Sequence, residues 1–161
     1  MNILLTNVGR RTYFINFLID LKKEENLTIH LSDCNKNSAA FYPKKKTKFH
    51  LTCRVKSNKK RYIKDILKIT KENNINLIIP LSDLDLYILS KHKIFFYKLN
   101  CFPIISSPEV INTCFDKIKL SKFCEKNNIN YPHLFKNKKE IGSGIFTKKE
   151  IRGSGSSGFE K

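Results

Sequence analysis

Short apolar runs alternate with longer segments of helical periodicity over residues 2–105, and no other feature narrows the fold as much. Residues 2–6 are apolar and stop at Asn7-Val8-Gly9, the pattern of a buried strand entering a turn. Tyr13, Phe14, Phe17, Leu18 and Leu21 then fall at helical spacing, which predicts an amphipathic helix packed on that strand. A second strand is expected over 27–31, ending at Ser32-Asp33, and a short third over 49–52. Ile63, Ile66, Leu67 and Thr70 mark a second helix that starts near Ser57-Asn58. A fourth strand over 77–79 stops at Pro80, a third helix is expected over 84–96, and a fifth strand over 103–105. Strands separated by helices of this length specify an α/β layer with a mainly parallel sheet.

The rhythm changes after Ser106. Ser107-Pro108-Glu109 opens a short helix with proline at its start. A longer helix follows from Asp116 to Asn127, with Leu120, Phe123 and Cys124 expected inward. A domain boundary near residue 106 is therefore expected. The phrase Lys71-Glu72-Asn73-Asn74-Ile75-Asn76 is echoed by Glu125-Lys126-Asn127-Asn128-Ile129-Asn130, which reads as repeated helix-exit chemistry and not as a duplication.

Composition excludes several classes. With 161 residues, 40% hydrophobic and 11% aromatic, the chain is neither disordered nor short of a core. No apolar run approaches the roughly 20 residues a membrane helix needs. The N-terminus lacks the basic stretch of a signal peptide, and the five cysteines include no C-x-x-C pair. Reduced thiols and a cytoplasmic location are the expectation. His50-x-x-Cys53 is the one His/Cys neighbourhood, too few ligands for a zinc site.

The formal charge of +17, from 31 Lys plus Arg against 14 Asp plus Glu, would suit a nucleic-acid surface. However, the excess is mostly lysine scattered over predicted helix faces, apart from Lys44-Lys45-Lys46, and Ile, Phe and Asn are abundant too. A coding sequence rich in A and T accounts for that mixture. Nucleic acid is therefore not the expected partner, and the chain lacks the clustered aromatic and basic residues of single-strand binders.

Three places could carry chemistry. Gly9-Arg10-Arg11 lies between the first strand and first helix, where an open α/β sheet binds ligands and where a helix start attracts anions. It could equally be a solvated turn, and without G-x-G-x-x-G it does not support a dinucleotide site. Ser82-Asp83-Leu84-Asp85 leaves the fourth strand at the same sheet edge. One of its carboxylates could cap the third helix and the other could meet a polar substrate. Asp33 carries the same ambiguity. Finally, five of the six glycines lie after residue 141, and Arg152-Gly153-Ser154-Gly155-Ser156-Ser157-Gly158 follows Lys149. Such a loop is either a flexible linker or a cradle whose backbone N–H groups approach phosphate. It is not a P-loop, because its lysine precedes the glycines.

Together these pieces resemble the N-terminal part of the ATP-grasp superfamily, closest to stand-alone proteins similar to the carbamoyl-phosphate synthase large subunit. The resemblance rests on the ordered set of Asn2 to Thr12, Ser32-Asp33, Ile79 to Leu86, Ser106 to Val110 running into Asp116-Lys117, and Lys149 with Arg152 to Gly158. It implies a Rossmann-like pre-ATP-grasp domain over 1–105 and the incomplete start of an ATP-grasp domain over 106–161. It further implies that Lys117 and Lys149 contact ATP phosphates and that Gly153, Ser154, Gly155, Ser156, Ser157 and Gly158 close over the triphosphate. The family pattern is roughly Lys-Pro-Arg-x-Gly-x-Gly-Ser. This chain lacks the proline and shifts Arg152 by one.

The implied reaction activates a carboxylate with ATP and Mg²⁺ through an acyl phosphate, which an amine or ammonia then displaces. Gly9, Arg10, Arg11, Asp83 and Asp85 are the expected substrate-binding residues. The metal ligands and catalytic groups of the family lie downstream of the glycine loop, so the 161-residue chain is expected to be truncated and inactive alone. A homodimer is common among such proteins. The competing readings are a small basic α/β module that binds nucleic acid or an anionic ligand, and a nonfunctional remnant.

Overall fold

The structure is a computed structural model that describes residues 1–22, 26–42, 46–132, 135, 147–148 and 159–160. The chain divides into two compact units, Met1–Ser106 and Ser107–Lys161.

The first unit holds strands β1 (Asn2–Thr6), β2 (Thr28–Asp33), β3 (Lys48–Leu51), β4 (Leu77–Pro80) and β5 (Phe102–Pro103). They form one sheet in the order β3-β2-β1-β4-β5, with every adjacent pair parallel. Leu5 registers with Leu31 on one side and Ile79 on the other. Helices α1 (Thr12–Leu21), α2 (Lys59–Glu72), α3 (Asp83–Ser90) and α4 (Lys93–Tyr97) connect the strands, with one 3₁₀ turn at Ala39–Phe41.

Side chains alternate across a strand, so β1 feeds two cores. Ile3 and Leu5 pack with Ile29, Leu31, Ile15, Leu18, Ile19 and Phe41 on one face. Leu4 packs with Ile78, Tyr62, Ile63, Ile66, Ile88 and Phe96 on the other. A parallel sheet covered on both faces explains why its strands read as unbroken apolar runs.

Three expectations are corrected. Tyr13 and Phe17, read as inward, are 75% and 58% exposed, while Ile15, Leu18 and Ile19 are buried. The helix Thr12–Leu21 is apolar on more than one side, so its sequence leaves open which face meets the sheet. The single helix expected over 84–96 is two, broken between Ser90 and Lys93. There the amide of His92 donates to the carbonyl of Leu89 (3.0 Å), and a His92 ring nitrogen lies 2.9 Å from the Ile88 carbonyl oxygen. The fifth strand is also shorter and earlier than 103–105, at Phe102–Pro103.

Helix starts follow the expected chemistry. The side chain of Asn58 accepts from the Arg61 amide (2.9 Å) at the start of α2, and Ser82 accepts from the Asp85 amide (3.3 Å) at α3. Helix exits use asparagine where glycine is commoner. Asn74 and Asn100 have φ of 47° and 54°, and the following amides of Ile75 and Cys101 reach back to Thr70 and Phe96.

The second unit holds α5 (Pro108–Phe115), α6 (Lys117–Lys126) and an antiparallel pair, β6 (Thr147–Lys148) with β7 (Phe159–Glu160). Ser107 caps α5, and Asp116 caps α6 by accepting from the amides of Ile118 (3.1 Å) and Lys119 (3.2 Å). Cys124 is buried as expected, whereas Phe123 is exposed and Leu120 only half-buried. At its exit Asn128 again takes a positive φ, so the repeated six-residue phrase does the same work at both helix ends. Among the described residues no helix is long and apolar enough to cross a membrane.

Candidate functional site

The crossovers of the first unit define where a ligand would sit. From β1 the chain moves one way, to β2 and β3, and then returns to the other side at β4. The connections therefore part between the carboxyl ends of β1 and β4, the position at which open α/β sheets hold ligands. The β1–α1 turn (Asn7 to Arg11) and the β4–α3 turn (Leu81 and Ser82) meet there.

The β1–α1 turn is held from inside the protein. Asn7 and Gly9 both have positive φ, of 48° and 56°. A Cβ on Gly9 would make only ordinary contact, its nearest neighbour being the Arg11 guanidinium at 3.6 Å, so the glycine is favoured by its dihedral and not by a close approach. Its amide donates to Asp33 Oδ2 at 2.7 Å, and its carbonyl accepts from Ser38 Oγ at 2.6 Å. Asp33 Oδ1 accepts in turn from the Asn35 amide at 2.9 Å. A carboxylate from the end of β2 thus occupies the amide that a phosphate-binding turn would present to its ligand. This agrees with the missing G-x-G-x-x-G, and it gives Gly9 a structural role.

Arg10 is exposed at the mouth of the turn. Arg11 is half-buried, and its guanidinium donates to the Asn7 carbonyl at 3.2 Å. Asp83 is exposed as the first residue of α3, and the capping role once open to it belongs to Ser82.

Asp85, expected to bind substrate, is fully buried in the structure. It accepts from Thr6 Oγ1 at 2.8 Å and from the Asn7 side-chain amide, and it hydrogen-bonds the Tyr62 hydroxyl. Burial pushes its carboxyl up from the ordinary value, and the hydrogen bonds from Tyr62, Thr6, Asn7 and Ser82 partly oppose that. The Tyr62 phenol, also fully buried, is raised well above its usual value by burial and by the Asp85 charge. Asp85 therefore pins the β1–α1 turn to α3 from beneath. The groups that face outward are Arg10 and Asp83.

Lys117 opens α6 in the second unit, and its carbonyl accepts from Ser121 Oγ at 2.8 Å. Lys149 and the run Gly153, Ser154, Gly155, Ser156, Ser157, Gly158 lie outside the described residues. In sequence they fall between β6 and β7, the two strands of the antiparallel pair.

One pairing was missed in the sequence. His30 and His50, on adjacent strands, bring ring nitrogens to 3.0 Å. Nothing in the order of residues signals this. It arises from the β2–β3 register, which sets His30 beside Lys48 and Ser32 beside His50.

A family profile described as the PylC-like, N-terminal domain matches residues 3–105. Comparison with curated proteins gives no match. Among solved structures, N5-carboxyaminoimidazole ribonucleotide synthetase from Thermotoga maritima is similar in fold, with a TM-score of 0.60 at 18% identity, over 99% of this chain and 40% of that one. L-amino acid ligase from Bacillus licheniformis gives 0.60 at 16% identity, over 94% of this chain and 37% of that one. The biotin carboxylase domain of thermophilic 2-oxoglutarate carboxylase gives 0.58 at 15%, over 95% and 37%. The chain thus spans 37–40% of the length of these three structures. It shares their α/β fold, and by the profile match it belongs to the family that carries the PylC-like N-terminal domain.

Proposed function

We propose that this chain is the N-terminal part of an ATP-dependent carboxylate–amine ligase, with a finer kinship to proteins similar to the carbamoyl-phosphate synthase large subunit. The observation that carries the reading is the family match over residues 3–105, which places the β1–α1 and β4–α3 turns inside the shared domain. The fold likeness to two ligating enzymes supports it. On this reading residues 1–105 form the pre-ATP-grasp domain and 106–161 begin the ATP-grasp domain.

Arg10 would receive the substrate carboxylate and Asp83 a polar or cationic group, with Arg11 holding the turn. Lys117, Lys149 and the loop Gly153 to Gly158 would hold the ATP phosphates by charge cancellation and backbone N–H donation. A carboxylate oxygen attacks the γ-phosphorus and ADP leaves. The amine nitrogen then attacks the acyl carbon, phosphate leaves and the amine proton goes to solvent. ATP would arrive with Mg²⁺. Among the described residues no group of three or more His, Cys, Asp or Glu side chains could hold a metal ion, so no step is assigned to residues binding it.

The test is product analysis on the native protein isolated from its own cells, supplied with ATP, Mg²⁺ and a panel of carboxylates and amines. ADP and phosphate released only when both partners are present support the proposal. AMP and pyrophosphate, or ADP release that ignores the carboxylate, overturn it. Arg10→Ala should raise the carboxylate KM by about tenfold, near the 1.5–3 kcal/mol of a charged hydrogen bond, with the fold intact by circular dichroism. An unchanged KM would remove Arg10 from the site.

A further inference from the structure

The His30–His50 pair lies away from the switch point and is untouched by the proposed reaction. Its nitrogens are 3.0 Å apart, its ring planes differ by 4° and its centroids are 5.3 Å apart. The centroid separation exceeds the nitrogen separation by about two ring radii. The rings therefore lie side by side in one plane, joined by a near-linear N–H···N bond, and are not stacked face to face.

The surroundings fix the tautomers. His30 is 1% exposed, and its Nε2 is buried with no partner among the described residues. An orphaned N–H is rarer and costlier than an orphaned acceptor, so Nε2 is the unprotonated nitrogen. His30 then donates from Nδ1 to Nε2 of His50, whose own proton sits on Nδ1.

No nitrogen of the pair accepts another proton without cost. A proton on His50 Nε2 would face the His30 Nδ1–H at 3.0 Å unless the His30 proton moved to its buried, partnerless Nε2. A proton on His30 Nε2 would be a buried charge with no acceptor. Lys48, on the same strand as His50, opposes charge on both rings. Across the cleft that His50 lines, α2 presents Arg61, Asp65, Lys68 and Glu72. The carboxylates there are already paired, Arg61 with Asp65 at 3.3 Å and Lys68 with Glu72 at 3.8 Å, and only Glu72 favours the His50 charge. Burial first, then His50 and Lys48, pushes the His30 imidazole down to about 4, and His50 is lowered as well.

What the pair joins is an edge. Among the described residues β3 ends the sheet and pairs with β2 alone. Its Phe49 and Leu51 are exposed, and the Phe49 ring meets Phe41 at a centroid distance of 5.0 Å on the opposite face from His50. Little apolar burial holds the strand. We propose that the His30–His50 hydrogen bond is a proton-released latch: neutral, it clamps β3 to β2, and on proton uptake it parts and frees the sheet edge beside the cleft lined by His50, Leu51, Thr52 and Cys53. Below the ordinary histidine value of 6.5, each pH unit favours the parted state by up to about tenfold per histidine.

The test uses the ¹⁵N-labelled 161-residue chain. Long-range imidazole correlation spectra at pH 8 should show the His30 proton on Nδ1. Amide exchange of residues 48–51, referenced to β1 and β4 to cancel the chemical pH dependence, should lose at least tenfold in protection between pH 7 and pH 5. His50→Gln can still accept from His30 but does not titrate, and should flatten that loss. If the variant does not fold, the wild-type spectra decide alone. A His30 proton on Nε2, two rings titrating independently near 6.5, or β3 protection that follows β1 and β4 through pH 5 would each overturn the proposal.

Discussion

Replacing Asp85 by alanine strikes the buried tie beneath the β1–α1 turn, and the size of the loss can be worked from the contacts. Thr6 and Tyr62 are fully buried and both lose their carboxylate acceptor. Each orphaned buried donor costs about 1–3 kcal/mol. Asn7 is half-buried, so its amide can turn to water and adds little. Against this, alanine relieves the burial of an ionised carboxyl. The expected net loss is about 2–4 kcal/mol, a large part of the roughly 5–15 kcal/mol that a domain has. The chain has no tryptophan, so urea unfolding followed by far-ultraviolet circular dichroism is the assay. With a urea slope of about 1–3 kcal/mol/M the midpoint should fall by roughly 1–2 M. Asp85→Asn keeps one acceptor oxygen and should lose less. Because folding raises the Asp85 pKa above 3.8, the folded state binds the extra proton. The contribution of Asp85 to stability therefore declines as pH rises from 3.8 through the folded value, and Asp85→Asn should abolish that decline. An alanine variant within about 0.5 kcal/mol of wild type, inside the range of ordinary surface substitutions, would refute the buried tie.

The lowered histidines act in the opposite sense. Their folded values lie below 6.5, so the unfolded chain binds more protons, and global stability should fall as pH drops from 6.5 toward about 4. Thermal melts of wild type and His30→Gln at pH 7 and pH 5 measure this, and equal pH slopes would contradict it. Gly9→Ala has room for its Cβ but not the dihedral, and should cost about 1–2 kcal/mol by urea unfolding. Asn58→Ala removes the cap of α2 and should cost about 1 kcal/mol in the same assay.

The order of strands and helices was readable because its punctuation is local: Pro80 ends a strand, Asn58 and Ser107 open helices, and paired asparagines close them. The facing of α1 was not readable, because Tyr13 and Phe17 are as apolar as the residues that are buried. At the site, the sequence located both turns but not how their groups divide between ligand and scaffold. Asp83 and Asp85 are two apart in the sequence, yet one meets water and the other has none. That difference is set by Thr6, Asn7 and Tyr62, which lie far away along the chain. The pairing of Asp33 with the Gly9 amide and of His30 with His50 likewise depends on which strands become neighbours.

The asparagines at the helix exits bear on how far a skewed composition can go before a fold gives way. A left-handed backbone position ordinarily depends on glycine, and this chain has one glycine before residue 142. Asn7, Asn74, Asn100 and Asn128 fill such positions instead. Asparagine tolerates that dihedral better than other residues with a side chain. Mutational drift toward asparagine can therefore accumulate where the backbone turns left, as drift toward lysine can on solvated helix faces, while the apolar strands between them stay as they were.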